Sequence, residues 1–334
     1  MHKPKVIVIL GQTATGKSDL AVKIALLLRS GPSAHKFGGE IISADSRQVY
    51  KNLDIGTGKI TPDTKNYSNF STGQVKKKYI FTHKGIPHHL IDVANPKHKF
   101  TVAEYKNLAE GKIKEIIGRG KMPIICGGTG FYIDAVTKGI VFPEVPPNLK
   151  LRKDLEKESV PELFKMLKKL DSGRAKTIDP KNRVRLIRAI EIVKALGKVP
   201  KITAVEPLYK FIKIGLYLPE EKLKEKIRIR LFARIRGGMV QEAKKLHKNG
   251  VSWKRMQELG LEYRYLALYL QNKISKKEML EKLSAEIYQY ARRQMTWFKR
   301  DKQIKWFDAR QKDLVGLASN LMQMRELLRL QGIK

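Results

Sequence analysis

The 334 residues carry 68 Lys and Arg against 32 Asp and Glu, a net charge of +36, with 42% hydrophobic residues and one cysteine, Cys126. The length exceeds what one core usually serves, so a large domain with a smaller one appended is expected; a lone cysteine excludes a disulfide framework and a cysteine-rich metal site and fits a reducing cytosol. So large a basic excess is hard to reconcile with an enzyme of free small molecules, and it points to a polyanionic partner whose phosphates release counterions on contact.

In chain order, Lys3-Pro4-Lys5 precedes the apolar run Val6 to Leu10 and then Gly11. The run is too short for a signal segment or a membrane span, so a cytoplasmic protein without membrane attachment is expected. Its β-branched residues feed a glycine loop, which reads as a buried central strand. Ser18 to Arg29 places Leu20, Ala21, Ile24, Ala25 and Leu28 at helical spacing. Glu40 to Ala44 is a second strand candidate ending at Asp45. Residues 59–87 are polar, with Lys76-Lys77-Lys78 among them, and read as a long loop or hairpin insertion. Thr101 and Glu104 form a capping box that opens a helix towards Gly118, and Met122 to Cys126 is a third strand running into Gly127-Gly128-Thr129-Gly130. Strands alternating with helices predict an α/β fold with a parallel sheet and helical crossovers.

Pro143-x-x-Pro146-Pro147 reads as a stiff linker, after which 148–200 is helical, basic and without strand candidates. Ile212 to Leu218 looks like a strand rejoining the sheet, 219–298 is helical again, and Lys305-Trp306-Phe307-Asp308 precedes a last helix. The domains expected are therefore a core of 1–145 with 205–334 and a helical insertion of 146–204.

Gly11-Gln12-Thr13-Ala14-Thr15-Gly16-Lys17-Ser18 matches G-x-x-x-x-G-K-[ST] between a strand and a helix. The loop can wrap an anion with backbone N–H groups, Lys17 adds a point charge, and Ser18 can hold Mg²⁺. This P-loop specifies a di- or triphosphate and does not say which. Asp45 follows a strand on the side where open α/β sheets bind ligands, so it can bind metal, take a proton, or be an ordinary turn residue. Gly127 to Gly130 either lets backbone and the Thr129 hydroxyl approach a ligand or is a plain strand-to-helix turn. Asp54 to Lys59 is a similar small loop. Arg185 and Arg188 lie three apart on a helix and either clamp phosphates or form a solvated face, and Arg292, Arg293, Trp297, Lys299 and Arg300 pose the same question. His83, His88, His89 and His98 lack metal-ligand spacing and are assigned to surface and turn roles.

Taken in order, these pieces resemble the tRNA dimethylallyltransferase (tRNA isopentenyl transferase) family, bacterial type. The resemblance runs from G-Q-T-A-T-G-K-S at Gly11 through I-S-A-D-S-R-Q-V-Y-K at Ile42, D-I-G-T-G-K at Asp54, P-H-H-L-I-D-V at Pro87, F-T-V-A-E-Y at Phe100 and P-I-I-C-G-G-T-G-F-Y at Pro123. It ends with N-R-V-R-L-I-R-A-I-E at Asn182 and A-R-R-Q-M-T-W-F-K-R-D at Ala291. The resemblance implies a P-loop NTPase-like parallel sheet flanked by helices, with a helical insertion domain that binds tRNA. It implies that a dimethylallyl group passes from dimethylallyl diphosphate to N6 of the adenine on the 3′ side of the anticodon, turned out of the anticodon stem-loop as buried base chemistry requires. Asp45 would be the general base, with Thr129 and Lys17 beside it. Gly11, Gln12, Thr13, Ala14, Thr15, Gly16, Lys17 and Ser18 with Mg²⁺, joined by Lys226 and Arg230, would hold the diphosphate. Asp45, Ser46, Arg47 and Gln48, and Val184, Arg185, Leu186, Ile187 and Arg188, would touch tRNA, the protein acting as a monomer. Three departures stand out: Lys226-Ile227 where the family has Arg-Ile, Gly260-Leu261-Glu262-Tyr263-Arg264 where it has Gly-Tyr-Lys, and an insertion at about 60–86 longer than expected, whose lysines are candidates for contact with tRNA. The motifs alone also admit a P-loop kinase of a nucleoside or small molecule, which the +36 charge argues against, and an RNA-binding ATPase switch.

Overall fold

The computed structural model describes residues 3–29, 38–63, 81–201 and 203–316. In chain order its elements are β1 (Lys5–Gly11), α1 (Lys17–Leu27), β2 (Gly39–Ala44), β3 (Phe81–His83), β4 (Ile86–His89), α2 (Val102–Gly118), β5 (Met122–Gly127), α3 (Gly130–Thr137) and β6 (Ile140–Val141). Then come α4 (Leu149–Leu155), α5 (Val160–Leu170), α6 (Ser172–Ala175), α7 (Arg183–Leu196), β7 (Thr203–Ala204) and β8 (Lys210–Tyr217). They are followed by α8 (Glu220–Arg236), α9 (Met239–Lys248), α10 (Trp253–Leu259), α11 (Leu261–Leu270), α12 (Lys276–Phe298) and β9 (Lys305–Asp308).

The main sheet runs in the order β3-β4-β2-β5-β1-β8-β9. Every pairing in it is parallel except that of β3 with β4. The period-two alternation of β1 explains its central place. Val6, Val8 and Leu10 face one cluster with α2, α3 and the C-terminal helices, while Ile7 and Ile9 face another with Leu20 and Ile24 from α1 and its C-cap Leu28. A strand buried on both faces has to be apolar throughout, as this one is. The strand expected at 212–218 does rejoin the sheet, with Ile7 opposite Ile212 and Leu10 opposite Gly215.

The chain divides into two compact units, residues 1–137 with 207–334, and 138–206. The division falls at 137 and 206, where 145 and 204 were expected, because β6 pairs with β7 and closes the ends of the second unit. Helices α4–α7 make up the rest of that unit around Leu163, Leu167, Leu186 and Ile190.

Local stop and start signals explain several helix ends. The Thr101–Glu104 capping box opens α2 with both of its hydrogen bonds present, and Ser159 with Glu162 and Ser275 with Glu278 do the same for α5 and α12. The polar stretch before Pro87 ends in the β3–β4 hairpin on the sheet edge; Lys76, Lys77 and Lys78 lie outside the described residues, and of the last helix expected after Asp308 only 314–316, which are helical, are described. Two of the four histidines are not in the surface and turn roles expected of them. His88 is 5% exposed within β4, and burial lowers its pKa to about 4. His89 Nε2 lies 2.7 Å from Glu40, a carboxylate that also meets Arg119 and Lys121. Burial works to raise the pKa of Glu40, yet these partners outweigh it and hold it at about 2. Among the described residues no helix is long and apolar enough to cross a membrane.

Candidate active site

The parallel register sets the site. Leu10 of β1 and Ala44 of β2 both stand opposite Gly127 of β5, so the three strands end side by side. That brings the Gly11–Ser18 loop, Asp45 and the Gly127–Thr129 turn to one edge, where ligands of open α/β sheets sit.

Three backbone features shape the loop. Gly11 leaves the sheet at φ 135°, Ala14 is left-handed at φ 65°, and Gly16 at φ 83° turns the chain into α1. Gly16 is the N-cap of α1 and supplies no side-chain hydrogen bond to it. The free N–H groups of the first turn therefore point outward with the positive end of the helix dipole, a nest for an anion. The Thr15 hydroxyl ties back to the Gln12 carbonyl at 2.8 Å, and Lys17 Nζ donates to the same carbonyl. Gln12, 6% exposed, turns its side chain to the Ala291 carbonyl at 3.4 Å and contributes to the loop through its backbone.

Lys17 is strongly perturbed at the site. Burial lowers its pKa to about 8; Arg230 lowers it further, while Cys126 and Asp45 pull it up. The Cys126 thiol at the end of β5 is hydrogen-bonded with the Ser18 side chain, and burial pushes it up to about 12, so it stays protonated. Arg230 of α8 reaches this charge cluster. Desolvation in the cleft and the neighbouring Arg234 lower its pKa, while Glu262, Asp19 and Asp45 act against them. Lys226, one turn earlier on the same face of α8, is exposed, as is Arg230, and it is the charge of Arg230 that acts on Lys17.

Asp45 is held by its own turn. Oδ1 accepts from the backbone N–H of Arg47 at 2.8 Å and of Gln48 at 3.3 Å, and among the described residues none donates to Oδ2. Thr129 steadies the same turn: its hydroxyl accepts from the Ser46 N–H at 3.0 Å, and its own N–H donates to the Ala44 carbonyl at 3.1 Å. Tyr290 of α12, which sequence reasoning passed over, hydrogen-bonds with the Thr129 side chain next to Asp45 and Arg47, and burial raises its pKa to about 12.

Gln294 was likewise missed, although it stands inside a quoted motif. Its Oε1 accepts from the Thr13 N–H of the phosphate loop at 2.8 Å, and its Nε2 donates to the Gly128 carbonyl at 2.8 Å. One amide thus joins two strand ends. Trp297, three residues on, donates to Asp134 at 3.1 Å and packs on Gly130, where a Cβ would meet its ring at 2.3 Å. Phe298 is core at 2% exposed.

The Val184–Arg188 segment of the second unit is less uniform than expected. Leu186 and Ile187 are 0% and 7% exposed and belong to that unit's core, so their side chains cannot face a nucleic acid. Arg188 ion-pairs with Glu191 and donates to the Val145 carbonyl at 2.9 Å, sharing Glu191 with Arg152. Val184 is 74% exposed, and Arg185 is exposed beside it. The helix turns Arg188 inward and leaves Arg185 out. A carboxylate three residues after Arg188 was the available signal.

Known proteins bear on this arrangement. The family model described as IPP transferase matches residues 48–301. The chain is 40% identical over 299 residues to tRNA dimethylallyltransferase 1 of Syntrophus aciditrophicus strain SB, covering 88% of this chain and 89% of that one. It is 40% identical over 299 residues to tRNA dimethylallyltransferase 2 of Treponema denticola, covering 88% and 91%. Its structure is similar to that of the full-length tRNA isopentenylpyrophosphate transferase of Bacillus halodurans, at a TM-score of 0.67 and 31% identity over 99% of this chain and 98% of that one.

Proposed function

The chain belongs to the tRNA dimethylallyltransferase (IPP transferase) family and is a tRNA prenyltransferase, and from that premise we propose how its residues carry the reaction. The donor is dimethylallyl diphosphate and the acceptor is N6 of the adenine 3′ to the anticodon in the tRNA anticodon stem-loop. The uncapped first turn of α1, Lys17 and Arg230 hold the diphosphate. Asp45 is the general base. As the adenine N6–C bond forms, the allylic C–O bond breaks, the proton of N6 passes to Asp45, and the diphosphate leaves with the bond's electron pair. Its fixed Oδ1 orients the carboxylate, and its open Oδ2 receives the proton. Thr129 keeps the turn in place. Because an allylic carbon ionises readily once its leaving group is neutralised, Lys17 and the first turn of α1 supply most of the rate, and Arg230 adds binding of the diphosphate.

Magnesium fits the residues present. Ser18, an exposed residue, offers one hard oxygen at the first turn of α1, and among the described residues no group of three or more His, Cys, Asp or Glu converges to hold a metal. The ion would rest on Ser18, the diphosphate oxygens and water, a coordination that Mg²⁺ accepts, and it would neutralise leaving-group charge. Asp45 to Gln48, with Val184 and Arg185 of the second unit, form the tRNA contacts in this reading. A tRNA substrate with a single buried free thiol supports a cytoplasmic enzyme. The kinase reading is not favoured, since the relatives are named for prenyl transfer.

The observation that carries the mechanism is Asp45 at the strand end beside Lys17 with one oxygen open. Asp45→Ala is expected to abolish the five-carbon mass gain on tRNA adenosine while leaving tRNA affinity within about threefold, since it removes an interaction made in the transition state. Normal turnover by that variant would remove Asp45 as the base.

A further inference from the structure

Glu242 of α9 stands outside every motif considered so far. Its carboxylate lies under the Asp54–Lys59 loop, where Oε2 accepts from the backbone N–H groups of Asp54 at 2.8 Å and Ile55 at 2.7 Å. Oε1 accepts from the N–H of Gly56 at 3.0 Å and from the phenol of Tyr263 at 2.7 Å. Three consecutive amides therefore converge on one side-chain anion, and charge-assisted bonds of this kind are about twice as strong as neutral ones. Arg234 holds the loop from α8, donating to the Gly56 carbonyl at 2.7 Å and to Glu262 at 2.8 Å. At the far end the Lys59 ammonium, 3% exposed, is shared between Asp54 and Asp92.

The secured loop touches the site at two places. Gly58, left-handed at φ 62°, passes so close to Arg230 that a Cβ there would lie 2.9 Å from a guanidinium nitrogen. The carbonyl of Thr57 accepts from the Gln48 amide at 3.4 Å, in the turn that carries Asp45. The backbone of residues 54–58 is thus a short rigid link from Glu242 to the cation facing the phosphate loop.

We propose that Glu242 is a positioning residue for prenyl transfer, setting through the Asp54–Gly58 backbone where Arg230 presents its guanidinium to the diphosphate. The inference rests on the reading above that Arg230 holds the leaving group. A glutamine of the same shape cannot replace Glu242 in this role. It offers one oxygen where four donors converge, and its NH₂ group faces N–H groups it cannot bond. The loop has to shift, and the shift is delivered to Arg230.

The test is steady-state kinetics of the full chain with dimethylallyl diphosphate and tRNA for wild type, Glu242→Gln, Arg230→Gln and the double variant. Glu242→Gln is expected to raise KM for dimethylallyl diphosphate about tenfold, short of the hundredfold that an ångström of misplacement can cost, with kcat and KM for tRNA near wild type. Arg230→Gln is expected to raise the same KM further, and the double variant to be no worse than Arg230→Gln alone, because Glu242 acts through Arg230. Additive losses, or equal losses in kcat and in both KM values, would mean that Glu242 only supports the fold. An Arg230→Gln enzyme with unchanged KM would overturn the diphosphate role of Arg230 and this proposal with it, whereas a raised KM there beside an unchanged one in Glu242→Gln would overturn this proposal alone. Should Glu242→Gln fail to fold, Tyr263→Phe removes one of the four donors and is expected to shift the same KM by about twofold; no shift then counts against the link.

Discussion

Lys17 is where desolvation and catalysis pull against each other. Burial holds its pKa at about 8, so near neutral pH its ammonium is charged at a cost that the Gln12 carbonyl and Asp45 only partly offset. A bound diphosphate supplies the missing counter-charge and raises that pKa, and linkage fixes the direction. Affinity for the diphosphate is full below the free-protein pKa, and it declines as pH rises through about 8 because the proton must then be taken up on binding. Dimethylallyl diphosphate titrated by calorimetry from about pH 7 to about pH 9.5 is expected to bind progressively more weakly to wild type, and with little change across that range to Lys17→Arg, whose side chain stays charged. An equal decline in both proteins would assign the titration to another group. Ser18 and Cys126 do not add to this profile, since the thiol is pushed up to about 12.

At the scale of elements, α12 is the part that makes a site out of three separate strand ends. Gln294 spans the Thr13 N–H and the Gly128 carbonyl, Trp297 closes over Gly130, and Tyr290 reaches Thr129. Gln294→Leu keeps the volume and removes both hydrogen bonds, leaving two backbone groups unpaired at about 1–3 kcal/mol each. The expected outcome is a melting temperature lower by roughly 5–10 °C and weaker binding of inorganic pyrophosphate, since the phosphate loop loses its brace. A variant that melts and binds like wild type would reduce α12 to packing. This is also where legibility in the sequence ends. The phosphate loop, the Thr101 capping box and the strand rejoining the sheet are written in neighbouring residues, so periodicity and turn chemistry reveal them. The Gln294 bridge joins positions 281 apart in sequence, and Glu242 meets Asp54 across 188. No local pattern encodes either contact. The departure at Glu262 has a structural reason that sequence reasoning could not reach either: it lies 2.8 Å from Arg234, within the cluster that secures the Asp54–Lys59 loop. The histidines at 88 and 89 were misjudged because burial in β4 depends on which neighbours the sheet brings to either side, and Glu40 comes from β2.

Across the whole molecule the net charge of +36 asks for a division of labour among cations, and geometry provides one. Arg188, Arg152, Lys59, Arg234 and Lys213 are each engaged with a carboxylate of their own unit. They organise the fold and are poor candidates for phosphate contacts, because taking one away strands a buried or half-buried anion. Arg185 is exposed and has no carboxylate partner among the described residues. Two substitutions three residues apart should therefore separate folding from RNA binding. Arg188→Ala breaks the pairing with Glu191, which is 2% exposed, and with the Val145 carbonyl; it is expected to lower thermal stability by about 1–3 kcal/mol while leaving the salt dependence of tRNA affinity unchanged. Arg185→Ala is expected to leave the melting curve unchanged, weaken tRNA binding, and reduce the slope of log affinity against log salt by about one, the signature of a single lost phosphate contact. Filter binding of tRNA over a range of salt, set beside thermal melts of the same two proteins, reads both. Should Arg188→Ala flatten the slope and Arg185→Ala leave it intact, the inward and outward roles given to these two arginines would have to be exchanged.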